Sequence, residues 1–493
     1  MNAITLTDTL LQKITALEEL IGKQSELIQA QALEIEEQAA TIARLQTRIA
    51  ELEKRTKKNS GNSSKPPSSD GLSKPPRTSS LRENGKNKSG GQLGHKGETL
   101  KQTLHPDIIT RHVLTHCPDC NSTLSPEPLS GVVKRQVFDI PPPKIEVTEH
   151  QAEVKYCTCC IKMVRAQFPE DVRAPVQYGV VIRAWAVYYQ HQHFIPEDRL
   201  GQLFNDLYDI RLATATLTRC SQVAFDALAL FEEHVLSMVK LAAVKNLDET
   251  GFRVAGKTQW LHVASTQTAT YYHVSPKRKS LLDGLCGTVV HDHWKAYYNL
   301  PGVLHGLCNQ HHLRELKSLI QHEKEPWATK MSRLLRVALR CRHFHGGNEI
   351  PLARLSRLTR LYDSIVKEGL AFHEAQTPLP LKGKQGRRPK RTGHNLLFRL
   401  LHYKQDVVRF LNDPLVPFTN NDAERDLRMA KCKQKISGGF RSVHGANQFA
   451  RIRGFISTAR KQGWNILQSI QSVFTGNIPI QLLPQPSKTH VRT

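Results

Sequence analysis

Residues 242–254 read AAVKNLDETGFRV. Apolar and β-branched residues around Asp248 and Glu249 describe a strand, and a carboxylate inside such a strand is costly unless something uses it. Working outward, Gly256 marks a tight turn, and QWLHVAS (259–265) and ATYYHV (269–274) read as second and third strands. A short helix is expected around Ser280–Leu285, followed by GTVVHD (287–292), a buried-type strand ending at Asp292, and by GVLHGL (302–307) as one more.

Three antiparallel strands, a helix and further parallel strands are the order of the ribonuclease-H-like fold. The predicted core starts at 241–308 and is interrupted by a mostly helical insertion, 309–412. Within the insertion, KGKQGRRPKR (382–391) carries six Lys or Arg in ten residues, among them Arg387, Arg388, Lys390 and Arg391. The core resumes in 413–475 with PFTNNDAERDLRMAKCKQKISGGFRS (417–442), and 476–493 form a tail. Thr419 or Asn420 is a suitable N-cap, which puts Glu424 in the first turns of a helix. After Asp426 no acidic residue follows, while eleven Lys or Arg do. Contact with phosphates is the better reading of that one-signed tail, with Arg428, Lys431, Lys433, Lys435 and Arg441 as candidates.

In such a sheet the first and fourth strands are neighbours, so Asp248 and Asp292 are expected to face one cleft, and a helix across the sheet edge brings Glu424 there. Three carboxylates without an internal cation repel one another and become stable on binding divalent metal. Two Mg²⁺ ions are the expected cofactors, activating water or a 3′-hydroxyl and stabilising the leaving oxygen. Asp422, Asp426 and Glu249 are the neighbours whose roles as caps or ion pairs must be told apart from ligation.

The amino-terminal half is organised differently. Residues 8–56 carry heptads with Ile14, Ile21, Ile28, Ile35, Ile42 and Ile49 at a and Leu17, Gln24, Gln31, Gln38, Leu45 and Leu52 at d. That stripe predicts a coiled coil over 1–56 that pairs protomers; a single amphipathic helix packed on its own protein is the alternative. Residues 57–101 are rich in Ser, Gly, Pro, Asn and Lys and read as a basic disordered linker, either following a DNA backbone or acting as a passive tether. Residues 102–173 hold two knuckles, HCPDC (116–120) and CTCC (157–160), separated by 36 residues with strand-like stretches at 132–140 and 145–156. One structural Zn²⁺ held by Cys117, Cys120, Cys157 and Cys160 is expected of a zinc ribbon, with Cys159 as the substitute for Cys160. Residues 174–240 are helical with a break near Asp209–Ala213, compatible with a helix-turn-helix and equally with two packed helices.

The whole chain of 493 residues suggests roughly three domains. With 69 Lys plus Arg against 44 Asp plus Glu, its net charge of +25 points to a polyanion partner. No run approaches the roughly 18 apolar residues of a spanning helix, and residues 1–30 lack a signal-peptide core. Five of the 10 cysteines fall between Cys117 and Cys160, a metal-site layout for a reducing, cytoplasmic compartment.

NLDETGFRV, VVHDHWKAYY, the long 417–442 block, the CPDC/CTCC region and the KNSGNSSKPPSSD segment together resemble bacterial insertion-sequence transposases of the IS66 type, in the DDE superfamily. The resemblance implies that Asp248, Asp292 and Glu424 are the metal-binding triad. It also implies accessory proteins from the same element. CNQHHLREL (308–316) matches a CxxHxxR pattern; packing of Cys308 and His311 beside the cleft is the expected role, with a second metal as the alternative. His293, Trp294 and Lys295 are placed to contact a base or phosphate, or simply to pack. The expected function is binding of terminal inverted repeats, cleavage at the element's ends and joining of 3′-hydroxyls to target DNA. A non-catalytic zinc-containing DNA-binding regulator and a nuclease on the same fold are the rivals.

Overall fold

The computed structural model describes residues 4–56, 100–125, 127–141, 143–379 and 388–483, so the 57–99 part of the expected linker, Arg387 and the tail beyond 483 lie outside the described residues. The described chain divides into two compact units. One comprises 1–71, 178–201 and 212–493, and the other 72–177 and 202–211.

The first element is a single helix, α1 (Ile4–Thr56), of 53 residues. Its Ile stripe faces solvent: Ile14, Ile21, Ile28, Ile35, Ile42 and Ile49 are all more than half exposed. This is not the arrangement of an amphipathic helix buried on its own chain.

The unit containing 102–173 has little regular structure. Strands β1 (Val154–Cys157) and β2 (Lys162–Arg165) form an antiparallel hairpin around the second knuckle. A bridge between His116 and Thr123 closes the first. Residues 132–140, expected to be a strand, form none. Val133, Val137 and Ile140 are 86–91% exposed, so their alternation has no second layer to face. The stretch is tied down by amide contacts instead. Gln136 Nε2 donates to Thr103 O and Thr103 N donates to Gln136 Oε1, both at 2.7 Å.

Helices α2 (Val180–His191), α3 (Glu197–Tyr208), α4 (Thr214–Ala227) and α5 (Ala229–Leu241) follow, with the helical break at 209–213 where the sequence places it. The sheet is built from β3 (Val244–Val254), β4 (Lys257–Ser265), β5 (Thr270–Ser275), β6 (Thr288–His291) and β7 (Leu304–Leu307), in the order β5-β4-β3-β6-β7. The pairs β3/β4 and β4/β5 are antiparallel, whereas β3/β6 and β6/β7 are parallel. Ala255 and Gly256 both take positive φ, the two-residue turn that matches strand twist.

The helix expected at Ser280–Leu285 does not form. The crossover to β6 passes close under the end of α5 and bends at Gly284 and Gly287, both with positive φ. A Cβ on Gly287 would lie 2.5 Å from Ala243 O, so the entry to β6 runs too close to the start of β3 for a larger residue. A short 3₁₀ turn, Lys295–Asn299, forms after Asp292 instead.

The helical insertion comprises α6 (Asn309–Ser318), a π turn (Leu319–Glu323), α7 (Pro326–His345), α8 (Leu352–Glu374), α9 (Thr392–His402) and α10 (Lys404–Asn412). It shares one hydrophobic core with the parallel half of the sheet, since Trp327, Met331, Leu335, Tyr362 and Leu400 belong to the same cluster as Val290 and Leu307. The chain then forms α11 (Asn421–Ser437), α12 (Val443–Lys461) and α13 (Ile466–Thr475). A second core joins Phe252, Leu261, Val263 and Tyr272 of the antiparallel half to Leu427 of α11 and Phe449 of α12. Helix α11 is thereby laid across the sheet beside β3. Among the described residues no helix is long and apolar enough to cross a membrane.

Candidate functional site

Strand register directs the first two acids toward one another. The last β3/β6 pair is Asn246 opposite Val290. Two residues further on, with the same side-chain parity, stand Asp248 and Asp292. Asp248 Oδ1 accepts the Glu249 N–H at 2.9 Å, and Asp292 Oδ1 accepts the Trp294 N–H at 2.8 Å. The Asp248 carboxyl is held well above its usual range by burial first, then by the charges of Glu249, Asp292 and Glu424. The Glu249 N–H is the opposing influence.

Glu424 comes from the first turn of α11, and two side chains anchor that turn. Asn420 stands at the N-cap position, but its side chain does not cap the helix. It accepts from Asn246 Nδ2 at 2.8 Å and donates to Leu247 O at 2.7 Å, next to Asp248 on β3. Its backbone N–H points to Cys308 Sγ at 3.2 Å. Two residues beyond Glu424, buried Asp426 accepts Ser265 Oγ, Thr270 Oγ1, Ser457 Oγ and Lys461 Nζ, all at 2.8–3.0 Å. Its carboxyl lies below the usual range; burial opposes this, and Lys461 with the hydroxyls overcomes it. Asp426 is therefore a structural hub, and Asp422 is an i,i+3 partner of Arg425 at the surface.

Glu249 is not a bystander. Its Oε1 accepts Arg278 Nε at 2.9 Å and Nη2 at 2.6 Å, and Tyr297 OH donates to Oε2. Arg278 is in turn flanked by Trp294 (4.3 Å to the ring centre) and Trp260 (5.1 Å). On the insertion side, a chain of hydrogen bonds holds His293, next to Asp292. Tyr298 OH lies 2.9 Å from His293 Nδ1, His293 Nε2 2.7 Å from His312 Nε2, and His312 Nδ1 2.9 Å from Asn309 Oδ1. Burial pushes both imidazoles far below their usual range, so both are neutral. From sequence Asn420 was visible only as an N-cap and His293 only as a candidate contact or packing residue; the tie of Asn420 to β3, the role of Arg278 and the hydrogen-bond chain were not. Arg278 lies in a loop without pattern, and only the amide of Asn246 in an apolar strand carried a signal.

Among the described residues, one set of three ligand-type side chains has its donor atoms within 4.8 Å of one another: Cys308, His311 and Glu424. The three carboxylates feel one another's charge but form no set that tight. Glu424 Oε1 and His311 Nδ1 are buried without a hydrogen-bond partner among the described residues, and Arg314 Nη2 lies 3.9 Å from Glu424 Oε2. Burial would lower the His311 pKa, but the adjacent Cys308 thiol and Glu424 raise it to about 9. The donor set of Asp248, Asp292 and Glu424, all oxygen with an unpartnered Oε1 and repelling charges, fits Mg²⁺.

The cysteine module forms two thiol pairs. Cys120 is lowered to about 7 by the Ser122 hydroxyl and N–H, with Cys117 contributing. Cys157 is lowered by the N–H groups of Cys160 and Cys159 and by the Cys160 thiol. The Cys160 N–H to Cys157 Sγ contact is 3.4 Å. Amides turned onto sulfur are the knuckle geometry that suits thiolates on Zn²⁺. No three of the five cysteines come within 4.8 Å of one another. Of the basic candidates, Arg388, Arg428, Lys435 and Arg441 are exposed, whereas Lys431 and Lys433 are half-buried. Lys431 donates to Gly251 O at 2.8 Å, Lys390 sits on the Phe398 ring, and Arg391 donates to Thr377 O.

A mixed sheet with one acid on β3 and one just past the end of the adjacent parallel β6, a helical insertion and a separate cysteine-knuckle module define a multidomain α+β protein with a carboxy-terminal catalytic region. Residues 175–448 match the model of the Transposase IS66 family, and the chain belongs to that family. Residues 115–160 match the zinc-finger binding domain of transposase IS66, which supports zinc as a constituent, and 7–101 match a family of unknown function (DUF6444). The chain is also 36% identical over 84 residues to the uncharacterized protein y4jO of Sinorhizobium fredii (strain NBRC 101917 / NGR234). That match covers 16% of this chain and spans 26% of the relative's length.

Proposed function

We propose that the chain is a DDE transposase that binds the terminal inverted repeats of its element, cleaves at the ends and joins the 3′-hydroxyls to target DNA. The observation that carries the reading is the nearness of the three acids: the β3/β6 ladder runs to Asn246 opposite Val290, two residues short of Asp248 and Asp292, and the charges of Asp292 and Glu424 both push the Asp248 pKa up. The strand order supports a ribonuclease-H-like core. Two Mg²⁺ ions held there would stabilise the attacking and leaving oxygens of an in-line phosphoryl displacement. The chain's own part is to hold the three acids in place: Asn420 ties α11 to β3, Asp426 ties it to β4, β5 and α12, and His293 and Trp294 fix the turn after Asp292.

DNA is the polyanion that the charge of +25 fits. Phosphate contact falls to the exposed Arg388, Arg428, Lys435 and Arg441, and the zinc module with 174–240 supplies base reading. The exposed Ile stripe of α1 pairs protomers so that two DNA ends are brought together. Oligonucleotides carrying the element's ends, incubated with Mg²⁺ and the full chain, should be cut and then joined to a target duplex. Cutting without joining of pre-cut ends would make the protein a nuclease. Binding without either would make it a regulator.

A further inference from the structure

The Cys308, His311 and Glu424 cluster has a composition unlike the carboxylate site beside it. Cys308 is the residue before α6 and 2% exposed; His311, three residues on, lies on the same side of the helix start. Glu424 reaches them from the first turn of α11. Sulfur, nitrogen and oxygen donors thus meet within 4.8 Å, carried by two helices that share no sequence. Two of the eleven buried side-chain atoms without a partner among the described residues fall in this cluster: His311 Nδ1 and Glu424 Oε1. A buried imidazole nitrogen and carboxylate oxygen without partners are costly, and a shared cation would satisfy both. The Asn420 N–H directed at Cys308 Sγ is the kind of outer contact that orients a ligating thiolate.

We propose that Cys308, His311 and Glu424 form a site for a thiophilic divalent cation of the Zn²⁺ class, separate from the cysteine module and overlapping the third carboxylate. Thiolate, imidazole and carboxylate together, once His311 and Cys308 have released their protons to solvent as the ion binds, favour Zn²⁺ or Co²⁺ over the hard, octahedral Mg²⁺, and three protein ligands leave one tetrahedral position for water. Thiolate and carboxylate neutralise the ion's two charges, so Arg314 is no longer needed beside Glu424. Because Glu424 cannot serve both sites at once, occupancy by zinc withdraws it from Mg²⁺. The site is therefore an inhibitory one, and that part rests on the catalytic role proposed above for Glu424.

The test uses the full chain, loaded with excess zinc and freed of unbound metal. Wild type should retain about two zinc ions per chain, one in the cysteine module and one here, and Cys308→Ser about one. Cys117→Ser should also retain about one, and with Co²⁺ it should show the charge-transfer band of a single thiolate. Cys308→Ala repeats the count if the serine variant misfolds. Added zinc should lower Mg²⁺-supported cleavage by wild type. A wild-type count of one, or an unchanged count in both Cys308 variants, overturns the site. Two zinc ions without loss of cleavage overturns the inhibition. Normal cleavage by Glu424→Gln would instead sink the catalytic reading, while the zinc count stood.

Discussion

Asn246 Nδ2 donates to Asn420 Oδ1 at 2.8 Å, across 174 residues of sequence, and both side chains are buried. The bond joins the strand two residues before Asp248 to the helix four residues before Glu424. One amide pair thus sets the distance between two of the three acids, from outside the cluster they form.

Asn420→Ala should therefore act on metal use before it acts on DNA binding. It leaves the Asn246 amide and Leu247 O unpaired in the interior, at a cost of about 1–3 kcal/mol. A lowered melting temperature with a raised Mg²⁺ requirement for cleavage is the expected outcome. A melting shift with unchanged Mg²⁺ dependence would reduce Asn420 to a packing residue.

Asp248→Ala, Asp292→Ala and Glu424→Ala should each abolish cleavage while DNA binding persists or tightens, because a negative charge near phosphate is lost. Asp422→Ala is the control. Its partner Arg425 is at the surface, and such an i,i+3 pair contributes about 0.5 kcal/mol at most. Glu249, which looks like a neutral neighbour in sequence, is unsuitable as a control. Glu249→Ala strips Arg278 and Tyr297 of their shared acceptor, and should lower stability by about 2–4 kcal/mol. Full cleavage by Glu424→Ala beside a dead Asp422→Ala would move the third ligand.

The knuckle geometry separates two cysteines that sequence could not. Cys160 supplies both a backbone N–H and a thiol to Cys157, whereas Cys159 supplies its N–H alone. Metal analysis of the full chain should show a loss of one zinc for Cys160→Ser and none for Cys159→Ser. The reverse result would slip the register of the second knuckle.

The sheet was legible because its antiparallel strands are rich in apolar and β-branched residues, β6 is a short buried apolar run, and the β3–β4 turn carries its own glycine. Asp248 and Asp292 were legible because a carboxylate in an apolar strand is conspicuous. What holds them was not. Asn420 is an ordinary N-cap residue until β3 is brought beside it, and Asp426 an ordinary helix acid until Ser265, Thr270, Ser457 and Lys461 surround it. The partners of the basic residues after Asp426 were equally hidden. Arg453 is buried, Arg451 binds Glu232 and Lys461 binds Asp426, so only part of that charge is free for phosphate. The strand expected at 132–140 failed because alternation predicts a face and not the layer that must cover it.

The stripe on α1 makes a prediction about assembly. Ile at a with Leu at d favours a parallel two-stranded coil, and three Gln at d weaken its middle. A peptide of 4–56 should sediment as a helical dimer, and replacing Gln24, Gln31 and Gln38 by Leu should raise its melting temperature. A helical monomer at the same concentration would return the stripe to some other surface.

Asp248 ties pH, metal and stability together. Its carboxyl titrates at 3.8 in the unfolded reference and well above that in the fold. A raised acid binds its proton more tightly when folded, so it contributes nothing unfavourable below the unfolded value. As pH rises past 3.8 the folded state must either keep the proton or carry an unfavourable charge, and stability falls through that window. At neutral pH, without metal, Asp248→Asn should therefore melt higher than wild type, and the difference should vanish toward pH 3–4. Mg²⁺ should reverse the order, because it stabilises the ionised cluster of the wild type and gains little from the amide. Thermal melts of both proteins at neutral and acid pH, with Mg²⁺ and with chelator, read all of this directly. If Asp248→Asn melted lower than wild type at neutral pH in chelator, the carboxylate would be stabilising by itself, and the metal-ligand account of Asp248 would fail.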